Sequence, residues 1–320
     1  MKRLVTILAL LTLPVLLRAQ QDGHFTQFMF NKQYFNPAYS GMRNVPTISA
    51  AYRKQWIGFD GAPQIQQLAF NTPVPSQRIG IGVLLNRQTI GITQTVYAAL
   101  SYSYSLVERK LFKLKLGLQG CFGQFAINYA DKDLVIAEPN DPSVRDAESS
   151  RTAANVGAGL YLGNPHTYIG LSVPHIIESY IGFNDIGTLS AIRTRHYYAM
   201  GGAEIPLGAD ISLLPAFLLK KAKGVPIGYD LNLGIQLFDK FTLGTSLRGG
   251  GSGGADSMDF LMHLVVMRRL GIGISYDYTL SPLKDFSKGS VEVLLQFDLR
   301  ERDATNGGGT DDLSNPRFFF

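Results

Sequence analysis

Within residues 111–125, Phe112, Leu114, Leu116 and Leu118 alternate with Lys113, Lys115, Gly117 and Gln119. Successive side chains of a strand point to opposite faces, so this run has one wholly apolar face backed by a charged and small one. The same two-residue period recurs almost to the end of the chain. Residues 226–238 show it most cleanly: Ile227, Tyr229, Leu231, Leu233, Ile235 and Leu237 lie on one face, with Gly228, Asp230, Asn232, Gly234 and Gln236 on the other. In the last run, 290–300, Val291, Val293, Leu295, Phe297 and Leu299 oppose Glu292, Gln296 and Asp298.

Turn residues divide the chain into about fourteen such runs. They cover residues 45–55, 64–74, 78–86, 92–105, 111–129, 154–162 and 167–173. The second half comprises 195–205, 211–221, 226–238, 241–249, 257–266, 270–280 and 290–300. An even number of strands of roughly ten residues suits a tilted, membrane-crossing sheet. In hydrocarbon every backbone N–H and C=O must find an internal partner, so such a sheet has to close on itself. A soluble sandwich would also alternate, with its apolar face turned toward a second sheet. The inner faces here are Gly, Ser, Asn, Gln and scattered charges, while Tyr and Phe gather near strand ends. That pattern favours an all-β fold, a transmembrane antiparallel β-barrel of the outer-membrane type.

Composition agrees. Charged residues make up 17%, below the roughly 25% of soluble domains, and the chain holds 34 Gly, 19 Phe and 15 Tyr. At the N-terminus, Lys2 and Arg3 precede an apolar stretch over residues 4–17, and Ala19 offers a cleavage point before Gln20. This reads as a signal peptide, 1–19, because about fourteen apolar residues fall short of the roughly 20 a spanning helix needs. Lys2, Arg3 and Arg18 would leave with it, so 27 basic residues face 25 acidic ones and the net charge falls from +5 to +2. Nothing in that balance suggests nucleic acid. The remaining expected units are an N-terminal periplasmic segment (20–44), the barrel (45–300) and a flexible tail (301–320).

Catalytic and metal signatures are missing from the sequence. His24, His166, His175, His196 and His263 form no zinc spacing, and no serine sits in a nucleophile elbow. Cys121 reads as a small buried hydrophobe. The glycine-rich stretch 249–254 lacks the Lys-Ser/Thr ending of a phosphate loop, and Glu138, Asp141, Asp146 and Glu148 match no calcium-loop spacing. We therefore expect no catalysis, no metal and no cofactor. Inward charges such as Asp230, Asp277 and Glu292 are expected to pair across the lumen with Arg53 or Arg248, as a polar plug or along a narrow water path.

Several blocks resemble the PorP/SprF family of the type IX secretion system in gliding and secreting Gram-negative bacteria. Phe25-Thr26-Gln27-Phe28-Met29-Phe30-Asn31 precedes Asn36-Pro37-Ala38-Tyr39-Ser40-Gly41. Ala51-Tyr52-Arg53-Lys54-Gln55-Trp56-Ile57-Gly58-Phe59 and Gly61-Ala62-Pro63 follow in the family's order. Tyr276-Asp277-Tyr278, Leu280-Ser281 and Ser290-x-Glu292 come near the end, with Val291 where the family pattern carries histidine. The resemblance implies a non-enzymatic outer-membrane barrel. Its implied partners are membrane lipid, the periplasmic ring and peptidoglycan-associated components of the machine, and secreted cargo with a C-terminal sorting domain, gliding adhesins included.

The motif residues Asn36, Pro37, Gly41, Arg53, Trp56, Phe59, Tyr276, Asp277 and Glu292 are candidate partner-binding positions. Arg53, Trp56 and Phe59 would suit an interface anchor or a binding rim. The tail adds Arg317 and Phe318, as an assembly or docking signal. The long connections 130–152 and 174–194 would meet cargo, and the termini and periplasmic turns the machine. A diffusion channel or lipophile transporter is the main alternative function, and a lipid-acting barrel enzyme a third.

Overall fold

A computed structural model describes residues 23–300 except 44, 75–77, 110–111, 129–148, 165, 183–189, 251–253 and 268. The expected signal peptide, most of the 130–152 connection and the tail with Arg317 and Phe318 therefore lie outside the described residues.

The first seven barrel strands are β1 (Thr47–Lys54), β2 (Gln64–Pro73), β3 (Ile79–Ile90), β4 (Thr93–Arg109), β5 (Phe112–Ile127), β6 (Ser149–Gly163) and β7 (Thr167–Val173). A short separate hairpin, β8 (Ser179–Gly182) with β9 (Ser190–Arg193), follows. The wall resumes with β10 (His196–Ala203), the two-residue extension β11 (Ile205–Pro206), β12 (Ile211–Ala222) and β13 (Gly228–Leu237). It ends with β14 (Phe241–Gly249), β15 (Ala255–Val266), β16 (Leu270–Thr279) and β17 (Ser290–Asp298). Each wall strand pairs antiparallel with its neighbours. The β1–β17 and β10–β12 pairings close the cylinder, which holds fourteen strands.

The expected alternation holds, with the apolar face outward. Along β5, Leu118 and Phe122 are exposed while Lys115 and Gln119 are buried. Along β13, Leu231, Leu233 and Ile235 face out while Asp230, Asn232 and Gln236 face in. Exposed tyrosines lie toward both ends of the wall: Tyr52, Tyr197, Tyr276 and Tyr278 toward one, Tyr102 and Tyr104 of β4 toward the other. Such girdles mark the two membrane–water interfaces.

Some strands outrun their sequence pattern. β3 continues to Ile90 rather than stopping at Asn86, and β6 begins at Ser149 rather than Ala154. The physical reason is visible in the added residues. Beyond the apolar band both faces of a strand meet water, so Arg87, Thr152 and their neighbours carry no two-residue period. The turn after β3 is held there by Arg87, which donates through Nε and Nη2 to Gln94 Oε1 at 3.2 and 2.7 Å.

The long connections share one end of the barrel, which also carries the short turns after β3, β12 and β14, while the other end has short turns alone. Short turns after β2, β4, β6, β13 and β15 lie at the end where β1 starts and β17 finishes. The long connections after β1, β5, β7 and β16 lie at the opposite mouth. The buried core is in the lumen. Its fully buried members include Phe25, Phe28, Met29 and Phe35 from the segment preceding β1, together with Tyr161 of β6.

Candidate functional site

Expected as a separate periplasmic stretch, the 20–44 segment is described from Gly23 onward, and there it packs inside the barrel. It carries Phe25, Phe28, Met29, Phe35 and Tyr39 with no strand period, and its short helix α1 (Lys32–Phe35) and a 3-10 turn (Pro37–Tyr39) leave side chains pointing all round. Such a segment has no single greasy face to lay on a membrane. Enclosure by a polar-lined cylinder buries every ring while the wall supplies hydrogen-bond partners.

The motif asparagine is one of the anchors. Asn36 Oδ1 accepts from Ala38 N at 2.9 Å and starts the 3-10 turn. Its Nδ2 donates to Leu160 O on β6 at 2.9 Å. Pro37 occupies the first position of that turn, where a missing N–H costs nothing. Gly41 then reverses the chain at φ +63°, and its N–H reaches Asn71 Oδ1 at 2.7 Å. An added Cβ on Gly41 would lie 2.3 Å from Gly80 Cα, so both the dihedral and the space demand glycine. Gly117 on β5 has the same role against Ala38, where a Cβ would fall 2.2 Å from the backbone nitrogen.

Two polar fastenings hold the segment lengthwise. At the end where β1 starts, Arg43 Nη2 donates to both Asp298 oxygens at 2.9 and 3.0 Å. Near the opposite mouth, Thr26 is the hub. Its hydroxyl donates to Asp277 Oδ1 at 2.7 Å and accepts from Arg53 Nη1 at 3.0 Å and Arg248 Nη2 at 3.1 Å, which uses its full capacity. The backbone N–H groups of Thr26 and Gln27 donate to the two Glu292 oxygens at 2.8 and 3.1 Å.

Around that hub, seven consecutive wall strands each contribute one charged side chain. In sheet order they are Arg53 (β1), Glu292 (β17), Asp277 (β16), Asp259 (β15), Arg248 (β14), Asp230 (β13) and Lys220 (β12). Arg53 binds Asp277 and Glu292, the latter at 3.2 Å. Arg248 binds Asp230 and also reaches Asp277 at 3.1 Å and Asp259 at 3.3 Å. Lys220 holds Asp230 at 2.6 Å, and His24 Nδ1 lies 2.7 Å from its ammonium. Asp259 and Asp277 are direct cross-strand partners, an arrangement that repels unless a cation is shared between them. Arg248 supplies it. Arg53 and Arg248, the expected partners of Asp230, Asp277 and Glu292, are thus found, but along neighbouring wall strands and not across the lumen.

The other half of the wall is nearly neutral. Lys115, its buried cation, donates to Ser40 O at 2.6 Å. Lys32, within the segment, sits over the rings of Tyr168 and Tyr39 at 4.2 and 5.4 Å, a cation–π arrangement that replaces its hydration.

The remaining motif residues divide by face. Of the Arg53, Trp56 and Phe59 trio, Arg53 is only 1% exposed and points into the lumen. Trp56 leaves the strand at φ 51°, donates its N–H to Ser290 Oγ at 3.2 Å, and lines a 140 Å³ cavity beside His24 at the mouth. Phe59 is half exposed in the loop beyond. Tyr276 faces outward and donates to Lys288 O at 2.7 Å. Thr26, Arg43, Asp259 and Lys220 were not singled out from sequence. One available signal was inward-facing glycine on consecutive strands (Gly117 on β5, Gly159 on β6, Gly170 on β7), which marks close approach of another part of the chain. Among the described residues no group of His, Cys, Asp and Glu is arranged to hold a metal.

The chain is similar to several solved structures. The Ralstonia pickettii toluene transporter TbuX is 10% identical, with 87% of this chain and 94% of that chain covered and a TM-score of 0.50. The Acinetobacter baumannii outer membrane protein Omp33 is 8% identical over 81% and 100% of the two chains, TM-score 0.44. A Pseudomonas aeruginosa FadL homologue is 13% identical over 86% and 94%, TM-score 0.42. The likeness to TbuX is one of fold. No curated protein matches the chain. Residues 17–297 match the type IX secretion system membrane protein PorP/SprF family, and the chain belongs to that family.

Proposed function

We propose that this protein is a non-enzymatic outer-membrane component of the type IX machine that supports export or surface attachment of cargo bearing a C-terminal sorting domain, gliding adhesins among them. The observation that supports this most is the filled lumen. A barrel occupied from Gly23 to Arg43 by its own fastened segment is suited to holding position and docking partners, not to passing solutes.

One end has short turns alone and the other carries all the long connections, which fits the outer-membrane convention of short periplasmic turns and longer outer loops. On that orientation the connections 130–152 and 174–194 face outward toward cargo, joined by Trp56 and Phe59 at the mouth. A bulky side chain held at positive φ, as in Trp56, is a strained arrangement of the kind found at functional positions. The last strand, β17, then ends on the side of the periplasmic ring and peptidoglycan-associated components, which the sequence motif with Arg317 and Phe318 would engage. Export with cleavage before Gln20 delivers the chain to this membrane.

A strain deleted for the gene, scored for surface proteins, tests the reading. Proteins with C-terminal sorting domains should disappear from the surface and return on complementation; an unchanged surface set contradicts it. The alternative, a diffusion channel or lipophile transporter, draws on the barrel fold shared with the toluene transporter TbuX and requires the lumenal segment to leave.

A further inference from the structure

On the lipid-facing wall, β7 is the shortest of the spanning strands, with seven residues, and its neighbour β10 has only eight. A groove of about 550 Å³ crosses the wall there. Its origin is legible in the cross-strand rows. Leu116, Leu160, Leu171, Ala199 and Leu219 form one continuous outward row, each the direct partner of the next. Ala199 is the dip between two leucines. In the adjacent row Leu118 pairs with Ala158 and Ala158 with Val173, which places a second dip beside the first.

Polar chemistry gathers at the long-loop end of this groove. Tyr197 and Lys221 are direct cross-strand partners on the outer face. Arg195 Nη1 donates to Tyr197 Oη at 3.4 Å, and Arg195 Nε to Ile176 O at 2.8 Å. Lys221 Nζ donates to Val225 O at 2.7 Å, which engages one of its three protons. Glu178 is an acid near enough to act on the Arg195 charge. Two cations and a phenol therefore stand over an apolar trough at the height of the tyrosine girdle.

We propose that this groove binds one anionic membrane lipid, its acyl chain over Ala158 and Ala199 and its phosphate between Arg195, Tyr197 and Lys221. Only apolar matter reaches the trough from the surrounding wall, where Leu160, Leu171 and Ile227 are exposed. A void left there would forfeit dispersion contacts along its whole lining. Its volume lies in the range of small-ligand sites, about 300–1,000 Å³. The paired cations select the headgroup, since basic residues at the membrane surface attract anionic lipid. This inference rests on the barrel fold and not on the cargo reading.

Native mass spectrometry of the full chain, delipidated in detergent and titrated with dimyristoyl phosphatidylglycerol or dimyristoyl phosphatidylcholine, tests it. The protein should retain one phosphatidylglycerol and hold it at least about fivefold more tightly than phosphatidylcholine. Ala158→Leu with Ala199→Leu should abolish retention of both lipids, and Arg195→Gln with Lys221→Gln should remove only the headgroup preference. Heat-dependent gel mobility verifies that each variant is a folded barrel. Equal retention by the protein and the filled-groove variant overturns the proposal. So does a filled groove that leaves lipid unchanged but releases a co-purifying protein.

Discussion

Arg43 and Asp298 lie 255 positions apart, yet one guanidinium nitrogen of Arg43 donates to both oxygens of Asp298 deep in the wall. The bond ties the exit of the lumenal segment to the last strand, and Thr47 Oγ1 adds a third hydrogen bond to the same carboxylate at 2.9 Å. Removing one member of a buried pair strands the other without a partner. Arg43→Met should therefore cost about 3–5 kcal/mol, read as a lower midpoint of thermal barrel unfolding in detergent. Arg43→Met combined with Asp298→Leu should recover part of that loss.

Thr26 presents a sharper case, because its hydroxyl contacts Arg53, Arg248 and Asp277 at once. Thr26→Val keeps the shape and deletes all three bonds, at a cost of about 1–3 kcal/mol. Thr26→Ser should restore stability to near the original. Equal midpoints for the Val and Ser variants would contradict the hub assignment.

Gly117 tests the close packing of the segment on the wall. A Cβ there would meet the Ala38 backbone at 2.2 Å, and neither strand nor turn can yield that distance. Gly117→Val should displace the segment while the strands still close. Lys32, 1% exposed in place, is the reporter. Trypsin should cut after Lys32 in the variant and leave it intact in the original.

Acid should loosen the same segment from the other mouth. The Lys220 ammonium foremost, then burial, hold the His24 imidazole well below the ordinary histidine value. In the unfolded chain it titrates near about 6.5, so below that pH the unfolded state binds more protons. The contribution of His24 to stability is therefore present above about 6.5 and lost as the pH falls through it. Cleavage after Lys32 should rise between pH 7.5 and 5.5, and His24→Gln should flatten that rise.

The wall was legible in the sequence because hydrocarbon imposes one rule on every outward position. Leu116 to Leu118 and Ile227 to Leu237 obey it, and the closed fourteen-stranded sheet follows. The lumenal segment obeys no such rule. Phe25, Phe28, Phe35 and Tyr39 are enclosed on all sides, so no period separates a plug from an ordinary irregular stretch ahead of the barrel. The charges were half legible: alternation put Asp230, Asp277 and Glu292 inside and suggested Arg53 and Arg248 as partners. It gave no sign that Thr26 joins them, because that contact spans 251 positions to Asp277. Strand ends were least legible, as at Ile90 and Ser149, where both faces are wet.

A lumen closed by the chain's own segment is tested most directly by conductance across a planar bilayer. Full-length purified protein should insert and stay electrically silent at moderate voltage, with steady openings emerging only in Gly117→Val. A steady ohmic conductance from the unaltered protein would contradict the account.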